Sequence, residues 1–146
     1  MEEEEDTFLA DLEEPKHFAD LVAAANDGDT EAKVVLAWLK LQGRGSAKMD
    51  KEGGYQLLEE CVALEDSDAM WLLGICNEYG LGCKQNIERA KDLYAKSCSN
   101  GNPLGTLLAK DRKDSVGSID VVMKGLLKAL SIWYVNIKFD EILVIF

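Results

Sequence analysis

The chain has 146 residues, 47% of them hydrophobic, with 27 acidic and 16 basic side chains and a formal charge of −11. Folding at this length hides roughly 70% of the surface of the extended chain, which supports one real core and excludes a wholly disordered protein. Only two prolines are present, which excludes a collagen-like or polyproline chain. The negative field repels phosphate backbones, so neither nucleic acid nor an anionic membrane surface is an expected partner.

In chain order, residues 1–14 hold eight acids and no base and read as a solvated, disordered tail. Phe8, Leu9 and Leu12 also make this tail a candidate docking peptide. Met1 is followed by four glutamates instead of a basic start and an apolar run, so no secretory signal is expected. No apolar run in the sequence is long enough to span a bilayer. Pro15 suits the first turn of a helix, where its missing N–H is no loss. Phe18, Leu21, Val22 and Ala25 then form a stripe, so residues 15–26 are expected to cap the N-terminal end of the folded core.

A shift of 37 residues superposes Asp29-Thr30-Glu31-Ala32 on Asp66-Ser67-Asp68-Ala69, Leu36 on Leu73, Ala37 on Gly74, Gly43 on Gly80, Gly45 on Gly82 and Cys61 on Cys98. One fixed period over so many positions marks a repeat protein. Asp29 and Asp66 are N-cap candidates, and apolar residues at Ala32, Val35, Leu36 and Leu39, or Ala69, Leu72, Leu73 and Cys76, come after them at helical spacing. Each helix is expected to run for about 13 residues, an ordinary length. It stops where Gly43 and Gly45, or Gly80 and Gly82, supply left-handed turn positions. A second helix comes next, capped by Asp50 or Asn86, with Tyr55, Leu57, Leu58, Cys61 and Val62, or Ala90, Leu93, Tyr94 and Cys98, on its apolar face. Each hairpin keeps apolar surface on both sides, which only stacking of successive hairpins buries.

The run Ala69-Met70-Trp71-Leu72-Leu73-Gly74, followed by Gly80-Leu81-Gly82, Gln85-Asn86, Arg89-Ala90 and Leu93-Tyr94-Ala95-Lys96, resembles the Sel1-like repeat, a relative of the tetratricopeptide repeat. The resemblance covers residues 26–110 as two whole units and the start of a third. It implies an all-α fold, a short right-handed α/α superhelix of helical hairpins with N- and C-terminal capping helices. It also implies a non-catalytic adaptor or scaffold. The chain departs from the family pattern in three places. Lys40 and Asn77 stand where the family places an aromatic residue, so the packing between units is expected to be weaker or locally polar. Gly53-Gly54 opens a helix at a cost of about 1 kcal/mol per glycine relative to alanine. The third unit, from Asn102-Pro103-Leu104, loses the pattern after Leu107-Leu108-Ala109. The units are placed at 29–65, 66–101 and, in part, 102–110.

Residues 111–118 read as a linker. Ile119, Val122, Met123, Leu126, Leu130, Trp133 and Ile137 then recur in steps of three or four, an amphipathic helix expected to cover the open C-terminal face, before the apolar end Ile142-Leu143-Val144-Ile145-Phe146. Exposed, that end is an aggregation hazard; burial, a partner or a truncated reading frame each accounts for it.

The four cysteines (Cys61, Cys76, Cys83, Cys98) lie 15, 7 and 15 residues apart, without the close pairs of structural zinc, and His17 is the lone histidine. They read as reduced thiols in a cytosolic or nuclear protein, and no metal, cofactor or disulfide is expected. Cys–His chemistry has no orienting residue or oxyanion donor that the sequence names, so no catalytic residue is expected either. Gly43-Arg44-Gly45 and Gly80-Leu81-Gly82 close helices and do not cradle phosphate.

The expected function is therefore to bind a protein or peptide on a concave face formed by the first helices, with Trp38, Leu41 and Ile75 as apolar anchors and Lys33, Lys40 and Glu78 setting register by charge. Packing against the N-terminal helix is the alternative role for Trp38, and Trp71 is expected in the core. The alternative function is a structural subunit or fragment whose C-terminal helix mediates assembly. The sequence leaves the oligomeric state open.

Overall fold

The computed structural model describes residues 15–43 and 47–110, with side chains from Phe18 onward. The acidic tail, Gly45, the linker, the C-terminal amphipathic helix, the apolar end and the side chain of His17 lie outside the described residues. Among those described there are six helices and no strand: α1 (Pro15–Asn26), α2 (Thr30–Gln42), α3 (Lys51–Ala63), α4 (Ser67–Tyr79), α5 (Ile87–Ser99) and α6 (Pro103–Ala109). They belong to one compact unit. The fold is all-α.

Caps set the boundaries. The Asp29 carboxylate accepts the Ala32 N–H at 3.1 Å and Asp66 accepts that of Ala69 at 2.8 Å, satisfying donors that a first turn leaves free. Asp50 and Asn86 do the same for α3 and α5, through Gly53 N at 2.9 Å and Arg89 N at 3.1 Å. Gly43 and Gly80 end α2 and α4 in the left-handed region, with φ of 62° and 69°, and their N–H groups close back onto Leu39 O and Cys76 O.

The repeat reaches further toward the N-terminus than its glycines and caps announce. The turn from a second helix into the next first helix carries positive φ at Gly28, Glu65 and Gly101, of 95°, 63° and 79°. The residue after each turn donates its backbone N–H to Ala24, Cys61 and Ser97 in turn. On that register Leu21, Leu58 and Tyr94 are equivalent, and all three are buried. The helix expected as an N-terminal cap thus has the turn and apolar register of a second helix.

Consecutive helices pack on one another from α1 to α6, and α4 also packs on α6. Within each unit one side-chain bond recurs: Cys61 Sγ lies 3.8 Å from Thr30 O, and Ser97 Oγ donates to Ser67 O at 2.8 Å. Gly54, expected only to weaken α3, has a packing role. A Cβ there would stand 2.9 Å from Ala37 O and 3.0 Å from Leu41 Cγ, so its absence lets α3 approach α2.

Candidate interaction surface

The joint between the two units is polar. Asn77, in place of an aromatic residue, is buried and donates from Nδ2 to Leu73 O at 2.9 Å. Cys83 Sγ approaches Cys76 O at 3.4 Å and Asn77 Oδ1 at 4.0 Å. Arg89, held in the first turn of α5, reaches back to α3, where its guanidinium donates to the Tyr55 hydroxyl and to Glu59 Oε2, the latter at 3.0 Å, with Glu59 Oε1 2.8 Å from the same nitrogen. Burial, and then the hydrogen bond with Glu59, push the Tyr55 hydroxyl above its ordinary range. Burial also raises the Cys83 thiol, against the opposing pull of the Arg89 cation. Gly82 sits in the same joint. With φ of 73°, a Cβ on it would stand 2.7 Å from Lys51 C and 3.0 Å from Tyr55 Cβ, so the glycine joins the turn of one unit to the second helix of the other.

A second polar node closes the far side of α4. Asn102 caps α6 by accepting from Leu104 N and Gly105 N at 3.0 and 3.1 Å, and its amide donates to Asp68 Oδ1 at 2.7 Å and Ser67 Oγ at 3.1 Å. The same Asp68 oxygen accepts the Trp71 indole N–H at 3.0 Å. Trp71 is fully buried with its donor satisfied.

The residues singled out from the sequence separate into two groups. Lys33 is half-buried, with Nζ 3.7 Å from Glu60 Oε2, and Glu78 is half-buried, with its backbone carbonyl accepting from Gln85 Nε2 at 2.8 Å. Trp38, Leu41 and Ile75 are buried, Trp38 at 1% exposure, so their side chains are not an open apolar face. The reason is geometric. A first helix inside the stack has helices on several sides, and residues 34–39 of α2 and 69–77 of α4 are all buried. Periodicity identified these positions as apolar, yet it did not show that the helix is enclosed around most of its circumference. The Trp38 indole N–H has no hydrogen-bond partner among the described residues. Among the described residues the large apolar side chains most open to solvent are Met49, Leu64, Tyr79, Ile87 and Leu107, which lie in turns, at helix ends or on the short α6. A search for helical stripes passes over such positions.

Burial governs the thiols as well. Cys61 is pushed up to about 11 and Cys76 to about 12, in both cases chiefly by desolvation. Among the described residues no cluster of histidine, cysteine and carboxylate side chains could hold a metal ion, and no helix is long and apolar enough to cross a membrane.

Residues 67–102, from the first residue of α4 to the cap of α6, match the family model of the Sel1 repeat. This segment is a Sel1 repeat. The chain is also similar to "DAP3-binding cell death enhancer 1" of Rattus norvegicus and of Mus musculus, at 31% identity over 94 residues in each case. The match covers 64% of this chain and 18% of either relative, so the chain spans less than a fifth of their length. No solved structure matches it at a significant level.

Proposed function

We propose that the chain is a non-catalytic adaptor of the cytosol or nucleus that binds a protein partner through its stacked Sel1-type hairpins. The observation that carries this reading is the Sel1 repeat at 67–102, set in a stack whose helices are fixed by buried polar nodes. Stacked helices hold surface side chains in place before a partner arrives, which lowers the ordering cost of binding. In this reading Lys33 and Glu78 are the reachable members of the binding face, and Trp38, Leu41 and Ile75 stiffen it from beneath. Cys61 and Cys76, protonated at neutral pH, act as small core residues, in keeping with a non-catalytic role. Because the relatives are named for binding DAP3, DAP3 is the partner we assign first.

Isothermal titration of the full chain with purified DAP3 tests the assignment. Saturable binding is expected, weakened about tenfold or more by the double substitution Lys33→Glu, Glu78→Lys in a variant that keeps its helical circular dichroism. Absence of heat with the wild-type chain would remove DAP3 as partner. Unchanged affinity in the variant would remove this face.

A further inference from the structure

The turn that leads from α5 into α6 carries Asn100-Gly101, the one place in the chain where asparagine precedes glycine. Both residues are exposed, and a Cβ on Gly101 would meet nothing within 4 Å. With no side chain on the following residue, little hinders the approach of its backbone nitrogen to the asparagine side chain. The other described asparagines lack this access. Asn77 is buried inside α4, Asn86 precedes the β-branched Ile87, Asn26 precedes Asp27, and Asn102 precedes Pro103, whose nitrogen carries no proton. Asp27-Gly28 occupies the equivalent turn after α1 but has no side-chain amide to lose.

We propose that Asn100 is a self-modifying site, at which deamidation loosens α6 from the stack. The Gly101 nitrogen attacks Asn100 Cγ and forms an N–Cγ bond, its proton passing to solvent. The Cγ–Nδ2 bond then breaks, and Nδ2 takes up a proton and leaves as ammonia. Water opens the resulting succinimide at one of its two carbonyls, giving aspartate or, with the main chain rerouted through Cγ, isoaspartate. The native turn gates the first step. Gly101 N donates to Cys98 O at 2.9 Å, the Asn100 amide donates to Met70 Sδ at 3.4 Å, and Asn100 is held at ψ of 8° as the cap of α5. Nucleophile and electrophile are both engaged, so the ring closes only in chains whose turn has opened locally. The consequence falls on α6. Isoaspartate adds one carbon, about 1.5 Å of bond, to the main chain ahead of Asn102. Asn102 is the residue that ties α6 to α4, through Asp68 at 2.7 Å and Ser67 at 3.1 Å. The new carboxylate also stands at the C-terminal end of α5, where the helix dipole disfavours negative charge.

The test incubates the full chain at body temperature and mildly alkaline pH, beside a sample unfolded in guanidinium. Mass spectrometry of the tryptic peptide 97–110 locates the conversion, and methyl transfer by protein isoaspartyl methyltransferase reports isoaspartate. Conversion is expected at Asn100 and not at Asn102, about five- to twentyfold slower in the folded chain than in the unfolded one. Asn100→Gln, which would have to close a less favourable six-membered ring, should abolish it. The isoaspartate fraction, separated by ion exchange, should unfold at a lower temperature than the untreated chain and than Asn100→Asp, which supplies the charge without the extra carbon. Three results would each overturn the proposal. They are equal rates in the folded and unfolded chain, no conversion in the folded chain within about twenty times the period that suffices in guanidinium, and equal thermal midpoints for the isoaspartate and Asn100→Asp chains.

Discussion

Gly74 of α4 lies under the ring of Tyr94 of α5, so close that a Cβ on it would stand 2.7 Å from Cδ1. At the equivalent positions of the preceding unit the pair is Ala37 and Leu58, both buried. The small residue on the first helix and the large one on the second have therefore changed together between units. The volume at the helix crossing is conserved while its residues are not. This is what close packing at native density requires of a repeat whose units differ in sequence.

Gly74→Ala should accordingly destabilise the chain, although alanine is the better helix former by about 1 kcal/mol. The added methyl meets an aromatic ring held at full burial, and overpacking of this kind costs about 1 to 3 kcal/mol. Adding Tyr94→Leu to Gly74→Ala re-creates the first unit's pair and should recover part of the loss. A double-mutant cycle in urea should give a favourable coupling of about 1 kcal/mol or more. Simple additivity of the two changes would show that Gly74 and Tyr94 do not share one volume.

The two asparagine caps make a second comparison. Asn86 is exposed, and its side chain accepts only from Arg89 N, so Asn86→Asp should be neutral or stabilising by up to about 1 kcal/mol through the helix dipole. Asn102 accepts in the same way but also donates to Asp68 at 2.7 Å and Ser67 at 3.1 Å. Asn102→Asp keeps the cap, loses both donors and sets two carboxylates side by side, at an expected cost of about 2 to 4 kcal/mol. Protonating either carboxyl restores a donor, so the penalty should shrink as pH falls through the carboxylate range. Thermal unfolding of the two variants at neutral and mildly acidic pH decides this. Equal behaviour would mean that the Asn102 amide contributes nothing beyond its cap.

Much of this architecture is legible in the residues themselves. Asp29, Asp50, Asp66 and Asn86 are short polar residues before apolar runs, and Gly43 and Gly80 end them, because caps and left-handed turns depend on a single side chain or on its absence. What escapes a reading of one sequence depends on pairs. Arg89 and Glu59 are 30 residues apart and meet only once α3 and α5 are stacked. The register of α1 is hidden because its markers differ from unit to unit, Gly28, Glu65 and Gly101 in the turns and Leu21, Leu58 and Tyr94 in the core. Glu65 carries a side chain in a backbone conformation that glycine occupies at the other two turns. Gly54 is similar, since the sequence shows its cost to the helix but not the carbonyl of Ala37 that requires it. Trp38 fails for the opposite reason: its apolar character is plain, but exposure is a property of the whole stack.

Two thiols link the core to pH. In the unfolded chain a cysteine ionises near 9, whereas Cys61 holds its proton to about 11 and Cys76 to about 12 because burial penalises the thiolate. Between those values the folded state binds more protons than the unfolded one, so stability is fully present below pH 9 and falls as pH rises through the window, by up to about 1.4 kcal/mol per pH unit for each thiol. Tyr94, also raised chiefly by burial, adds to the same trend at higher pH. Urea titrations at intervals from pH 8 to 11 should show the decline, and a Cys61→Ala, Cys76→Ala variant should show a flatter one despite its lower starting stability. The same burial predicts slow alkylation of both thiols in the folded chain at neutral pH and rapid alkylation in urea, since the thiolate is the reacting form. An equal alkaline slope in wild type and variant would assign the decline to groups other than these two thiols. Fast modification of Cys76 in the folded chain would show that α4 opens far more readily than its packing allows.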